Sequence, residues 1–141
     1  MRTSPRKDLH YGGRRPPETT KGEDALSSRI IRMVERDLER PNFGPEPADF
    51  AIEGEPIETT HEYYANAGHT SGVWECSPGR MREEQGEDEF CTIISGKVGL
   101  IDNVDEREEI FVAGDSFFLP KGSSLTWVVY ETVRKFYMTA E

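Results

Sequence analysis

Residues 87–98, EDEFCTIISGKV, decide the fold. Side chains alternate across a β-strand with a period of two, so Glu89, Cys91 and Ile93 share one face, and Phe90, Thr92 and Ile94 the other. Both faces are apolar after Glu89, the pattern of a strand covered on both sides. A carboxylate in phase with Cys91 and Ile93 is expected to point into an enclosed interior. Gly96, seven residues beyond Glu89, marks a turn or bend.

Outward from that stretch the chain continues in the same style. Short segments rich in Val, Ile, Phe, Tyr, Trp or Thr, bounded by Gly, Pro, Asn or Asp, fall at 61–66, 69–76, 80–84, 89–94, 97–102, 107–112, 116–119, 125–130 and 134–139. About nine strands spaced by roughly ten residues, with no helix between them, predict an all-β antiparallel sandwich or barrel. Residues 114–122, GDSFFLPKG, read as a turn glycine, a short apolar strand and a Pro-x-Gly turn. Upstream, Leu26, Ile30, Met33 or Val34, and Leu38 recur at helical spacing and predict one amphipathic helix over 25–40, closed by Pro41. Such a helix must lay its apolar stripe on the barrel or on a second subunit. The expected organisation is a flexible basic segment 1–24, a helix and Pro-rich linker packing on the barrel at 25–56, and the barrel at 57–141.

Composition narrows the partners. The 141 residues carry a net charge of −10, which argues against nucleic acid or an anionic membrane surface. Residues 1–22 hold six Lys/Arg against two Asp/Glu, leaving −14 for the rest; a short basic tail of this kind reads as a solvated leader. No apolar run approaches the roughly 20 residues of a membrane span, and no secretory signal is evident. Two cysteines are too few for a disulfide framework, so the expected setting is reducing and cytoplasmic.

Glu89 with Gly96, and Gly114 with Pro120 and Gly122, resemble the two motifs of the cupin superfamily. The stretches SGVWECSPGRM, EDEFCTIISGKV, AGDSFFLPKGS and TWVVYETVRKFY look more narrowly like single-domain cupins related to (S)-ureidoglycine aminohydrolase, over about residues 55–137. The resemblance implies a double-stranded β-helix, or jelly-roll barrel, and a homodimer. It also implies a metal held by two histidines and a glutamate of the first motif and a histidine of the second. Aligned on Glu89, the two first-motif positions fall on Arg82 and Glu84, or one residue later on Glu83 and Gln85. The second-motif position falls on Leu125. Of the four ligands only Glu89 remains, too few for a Mn, Fe, Ni or Zn site. A divalent metal is therefore disfavoured, and no cofactor is expected.

The remaining candidates are residues of a small-molecule pocket. Glu89 is the candidate catalytic acid/base, if burial raises its pKa, or else an interior acid paired with Arg82 or another cation. Arg82, Glu84, Cys91, Trp74, Cys76, Leu125 and Trp127 are the candidate pocket residues. Cys91 beside Arg82 would be a reactive thiol, although buried apolar cysteines are the commoner case. Trp74 and Trp127 could stack on a planar ligand or simply pack. Arg134 and Lys135 are expected to face opposite ways on the last strand, one of them entering the pocket or, in preference, closing a salt bridge with an acid. The cluster Glu83, Glu84, Glu87, Asp88 and Glu89 reads as a solvated turn except for its last member, and the three histidines show no ligand spacing. Two functions follow as expectations: an enzyme acting on a small polar metabolite through Glu89, or a non-catalytic ligand-binding or structural module.

Overall fold

A computed structural model describes residues 30–141, and nine strands run through them. In chain order these are β1 (Phe43–Pro47), β2 (Ala51–Glu53), β3 (Ile57–Asn66), β4 (His69–Cys76), β5 (Gly79–Glu84), β6 (Asp88–Asp102), β7 (Glu108–Val112), β8 (Ser116–Leu119) and β9 (Ser124–Ala140). β4 and β8 have the bounds their alternation predicts. β6 and β9 each merge two expected strands, and each bends where the two halves meet. Their mutual register shifts between Ile93 and Val98. Gly96 sits in that bend with φ +90°, and a Cβ there would collide with the Thr132 carbonyl, so glycine is required at this position.

The bends let two strands serve both walls of a jelly-roll barrel. One wall runs β1, β3, β4, the second half of β9, the first half of β6, then β8. The other runs β2, β5, the first half of β9, the second half of β6, then β7. All pairings are antiparallel, as the strand spacing predicted. The space between the walls holds the apolar core, including Trp74, Met81, Ile93, Val98, Leu100, Leu119, Trp127 and Val133.

Three expectations are corrected. The linker at 41–56 contributes β1 and β2, each pairing with one strand only. Pro45 and Pro47 are tolerated because an edge strand needs only one row of ladder donors. Of the helix expected over 25–40, residues 25–29 lie outside the described residues, as does the basic segment 1–24. Residues 30–34 are not helical, and a five-residue 3₁₀ turn at Glu35–Glu39 follows. The Tyr63 side chain of β3 takes a backbone amide that a helix would use: Val34 N donates to Tyr63 Oη at 3.0 Å, and that hydroxyl is held by donation to the Asp37 carboxylate at 2.6 Å. Leu38 is buried, and on the outer face of β4, which the 3₁₀ turn meets, Val73 is buried too. Arg134 ties Glu35 and Glu75 together at 2.8 Å each.

The third correction concerns the outer face of β6. Phe90 pairs with Phe118 on β8 and Met138 on β9, and these three side chains are 45%, 56% and 53% exposed. In the single chain the outer face of β6 is open at Phe90 and half-buried at Thr92 and Ile94.

Candidate functional site

Cross-strand register stacks the inner wall into rows, because directly opposed residues share a face. The first row is Thr70, Thr139, Glu89; the second is Gly72, Tyr137, Cys91; the third is Trp74, Lys135, Ile93. Thr70 and Thr139 share a hydrogen bond of 2.6 Å between their hydroxyls. Gly72 leaves room for the Tyr137 ring, since an added Cβ would lie 2.6 Å from its hydroxyl.

Two charges meet in the middle of this wall. Lys135 Nζ donates to Glu89 Oε2 at 2.8 Å, and the two residues are 1% and 2% exposed. The same ammonium lies 4.5 Å from the ring centroids of both Trp74 and Trp127. Gln85 Nε2 donates to Glu89 Oε1 at 3.1 Å, and the Cys91 thiol to Oε2 at 3.5 Å. Trp74 is fixed in turn by donation to Glu58 at 2.7 Å. Taking two charges out of water is costly unless ion pairing and further hydrogen bonds compensate, and here the carboxylate receives three donors.

Burial first, and then the Glu89 charge, push the Cys91 thiol far above its usual pKa; the Lys135 ammonium opposes this only in part. Cys91 is therefore a protonated thiol, not the activated nucleophile that a neighbouring Arg82 would have made. Cys76 is also buried and forms no disulfide; it lies opposite Val133, four residues along β9 from the Tyr137 that faces Cys91.

The structure brings Glu89, Cys91, Trp74, Cys76, Leu125 and Trp127 to the barrel interior. It does not bring Arg82 and Glu84 there. Along β5 the buried phase is Met81 and Glu83, continuing to Gln85, so Arg82 and Glu84 point outward. There Arg82 Nε meets Glu84 Oε2 at 2.9 Å, and Ser124 bridges the pair. The acidic stretch is likewise no solvated turn, because Glu83, Gln85, Glu87 and Glu89 are all buried. The partner of Glu89, Lys135, lies 46 residues away. Its signal was its place in the inward phase Val133, Lys135, Tyr137, Thr139. His61 bonds the Arg40 carbonyl at 2.7 Å on the outside.

These residues do not fit the metal site that the cupin motifs imply. The inward first-motif positions are Glu83 and Gln85, the second-motif position is the apolar Leu125, and the glutamate already holds an ammonium that would repel a divalent ion. Among the described residues, no three His, Cys, Asp or Glu side chains are grouped to hold a metal.

Free space lies toward the rims. A cavity of about 210 Å³ opens between β7 and β8, with Leu100, Phe111, Phe117, Phe118, Leu119 and Leu125 as its apolar lining and Asp102, Asp105, Arg107 and Glu109 as its polar lining. Leu119 and Leu125 have Glu89 and Glu83 as direct cross-strand partners. An aromatic series leads inward, from Phe111 to Phe117 at 4.5 Å, Phe117 to Trp127 at 6.1 Å and Trp127 to Trp74 at 5.5 Å between centroids. A second cavity, about 220 Å³, is lined by Asn66, His69, Thr70, Glu87 and Glu141. Two buried polar atoms beside the Glu89 network, Gln85 Oε1 and Trp127 Nε1, have no hydrogen-bond partner.

Comparison with known proteins places this geometry. Residues 65–137, just over half of the chain, match the family described as EutQ-like cupin domain. The EutQ protein of Clostridium difficile is 23% identical, with a TM-score of 0.55 over 60% of this chain and 68% of that one. A DUF861-family protein of unknown function from Pseudomonas syringae pv. tomato is 23% identical, with a TM-score of 0.62 over 67% of this chain and 42% of its own. A Rhizobium leguminosarum protein of unknown function is 18% identical, with a TM-score of 0.58 over 79% of this chain and 95% of its own. These likenesses concern the fold. No curated protein matches the chain. Among the described residues, no helix is long and apolar enough to cross a membrane.

Proposed function

The chain belongs to the EutQ-like cupin domain family, and on that premise we propose that it binds a small metabolite in the cavity between β7 and β8, without a divalent metal. The observation that carries this reading is the pairing of the two leucines in that cavity, Leu119 and Leu125, with the buried Glu89 and Glu83. A ligand seated there rests an apolar body on Phe111 and Phe117 and turns a polar end toward the interior. Gln85 Oε1, an acceptor, and Trp127 Nε1, a donor, each lack a partner, and buried polar atoms in that state call for an explanation. Neither residue lines the cavity, so a ligand that both donates and accepts, such as a carboxamide or ureide, meets them only by reaching inward past Leu119 and Leu125.

Binding is favoured over catalysis because the Glu89 carboxylate already accepts from Lys135, Gln85 and Cys91, which leaves it a poor general base. The enzyme reading, after the pattern of (S)-ureidoglycine aminohydrolase, draws on the enclosed carboxylate and requires Lys135 to release it. A homodimer belongs to the same proposal, with the exposed row Phe118, Phe90 and Met138 as its contact.

A thermal-shift screen of small amides, ureides and carboxylic acids tests the reading. Amides or ureides should stabilise the wild type, Trp127→Phe should reduce the shift several-fold, and Leu125→Phe, which fills the cavity, should abolish it. Equal shifts in all three proteins would remove this cavity from consideration. Product formation that Glu89→Gln eliminates would favour the enzyme.

A further inference from the structure

The barrel holds a cation at its centre, and the chain supplies that cation itself. Lys135 leaves β9 between Trp74 on β4 and Ile93 on β6, and its side chain reaches two rows along the wall to Glu89. The ammonium ends 2.8 Å from Glu89 Oε2 and 4.5 Å from each indole centroid. The two indole planes stand at 64° with centroids 5.5 Å apart, so they form two walls of a corner. Glu89 forms the third wall, and its orientation is set by Gln85 Nε2 at 3.1 Å.

Indole faces attract cations through the negative face of the ring and offer no lone pair for coordination. Such walls suit an ammonium group, whereas a transition metal seeks imidazole, thiolate or several carboxylates. The Cys91 thiol beside Glu89 is fully buried and donates to the carboxylate at 3.5 Å, and the inward first-motif positions are occupied by Glu83 and Gln85 rather than histidines.

We infer that Trp74, Trp127 and Glu89 form a receptor for a primary ammonium ion, and that Lys135 fills it from within, in place of the metal ion that motif histidines hold in other barrels of this fold. The electrostatic centre of the barrel is thereby tethered and cannot dissociate. Chelators and divalent salts leave the wild-type protein unchanged, and shortening Lys135 opens a site for a small alkylammonium ion.

Lys135→Ala removes the atoms that n-propylammonium restores. Thermal unfolding of this variant is followed in propylammonium chloride, in potassium chloride at equal ionic strength, in 1-propanol, and in manganese or zinc chloride. Propylammonium should raise the midpoint by several degrees over potassium. 1-Propanol should not, and neither the wild type nor Lys135→Ala/Glu89→Gln should respond. Equal midpoints in propylammonium and potassium would overturn the inference, as would saturation of the variant by one manganese or zinc ion per chain.

If Lys135→Ala does not fold, two further measurements decide. Lys135→Met, which keeps the bulk, should unfold well below the wild type; an equal midpoint shows that the cage needs no cation. Elemental analysis of the wild type after metal exposure should find no bound ion, and one per chain refutes the tethered cation. All of these read stability or metal content, so they stand whether or not the cavity between β7 and β8 takes a metabolite.

Discussion

Replacing Lys135 by Met is the sharpest perturbation this structure offers. It deletes an ion pair of 2.8 Å between side chains only 2% and 3% exposed, together with cation–π contacts to two indoles at 4.5 Å. Removing one member of a buried pair costs about 3–5 kcal/mol, because the remaining charge stays in a poorly solvating site. The lost cation–π contacts add about 1 kcal/mol and the thioether returns about the same through its own contact with the rings, so a net loss of about 4 kcal/mol is expected. For a chain of this size that corresponds to a midpoint drop on the order of 15 °C. The double variant Lys135→Met/Glu89→Gln removes both charges and should recover at least half of the loss, giving a coupling energy of about 2 kcal/mol or more. Urea unfolding reports the equilibrium, and Trp74 and Trp127 give a fluorescence signal at the site itself. The deficit should also depend on pH. In the single variant Glu89 is a buried carboxyl that has lost its ammonium, so it binds a proton more readily folded than unfolded. Stability then falls as pH rises above the unfolded value of about 4.3, and the deficit is smaller at about pH 5 than at about pH 8. A Lys135→Met protein within about 1 kcal/mol of the wild type, or strictly additive losses in the double variant, would refute the reasoning.

The cysteines should be inert: a thiol reagent leaves Cys76 and Cys91 unmodified in the native protein and titrates both in denaturant, and rapid native labelling of Cys91 contradicts its burial. Because the folded pKa of Cys91 is raised by burial and by Glu89, its contribution to stability is complete below the unfolded thiol value. It is lost as pH rises above about 8.5, which a denaturation series in alkaline buffers will read. Asp37 is held below the usual carboxylate range first by the Tyr63 hydroxyl and then by Arg40, so its support for residues 30–42 is present above the unfolded value of about 3.9 and is lost as pH falls. Tyr63→Phe should raise proteolysis of that segment at neutral pH, and unchanged cleavage would show that the hydroxyl is not its clasp. Gly96→Ala forces a side chain into φ +90° and against the Thr132 carbonyl, which should cost about 3 kcal/mol or more; a variant of wild-type stability would mean that the bend in β6 can relax.

Alternation was legible wherever a strand has one apolar phase. Glu89, Cys91 and Ile93 occupy the interior as their period of two requires, and the bounds of β4 and β8 agree with the turn residues that frame them. Of the helix expected over 25–40, the described part 30–40 is not α-helical, because periodicity records which residues seek cover, not what satisfies the backbone; Tyr63, some thirty residues away, takes the amide of Val34. β1 was hidden by Pro45 and Pro47, which are compatible with a strand only at a sheet edge, and an edge is defined only once the sheet exists.

The candidate site divides along the same line. The sequence by itself determined that the chain is an antiparallel barrel with an acid on its inner wall and no histidines to hold a metal, because strand phase and motif spacing are local quantities. Only the tertiary structure decided which first-motif positions face inward, Glu83 and Gln85 rather than Arg82 and Glu84, and that the acid is answered by Lys135 between two indoles. Those facts depend on the register of β5 and β6 against β9, set by burial and bulges across dozens of residues, and a slip of one residue would turn every one of these side chains to the opposite face.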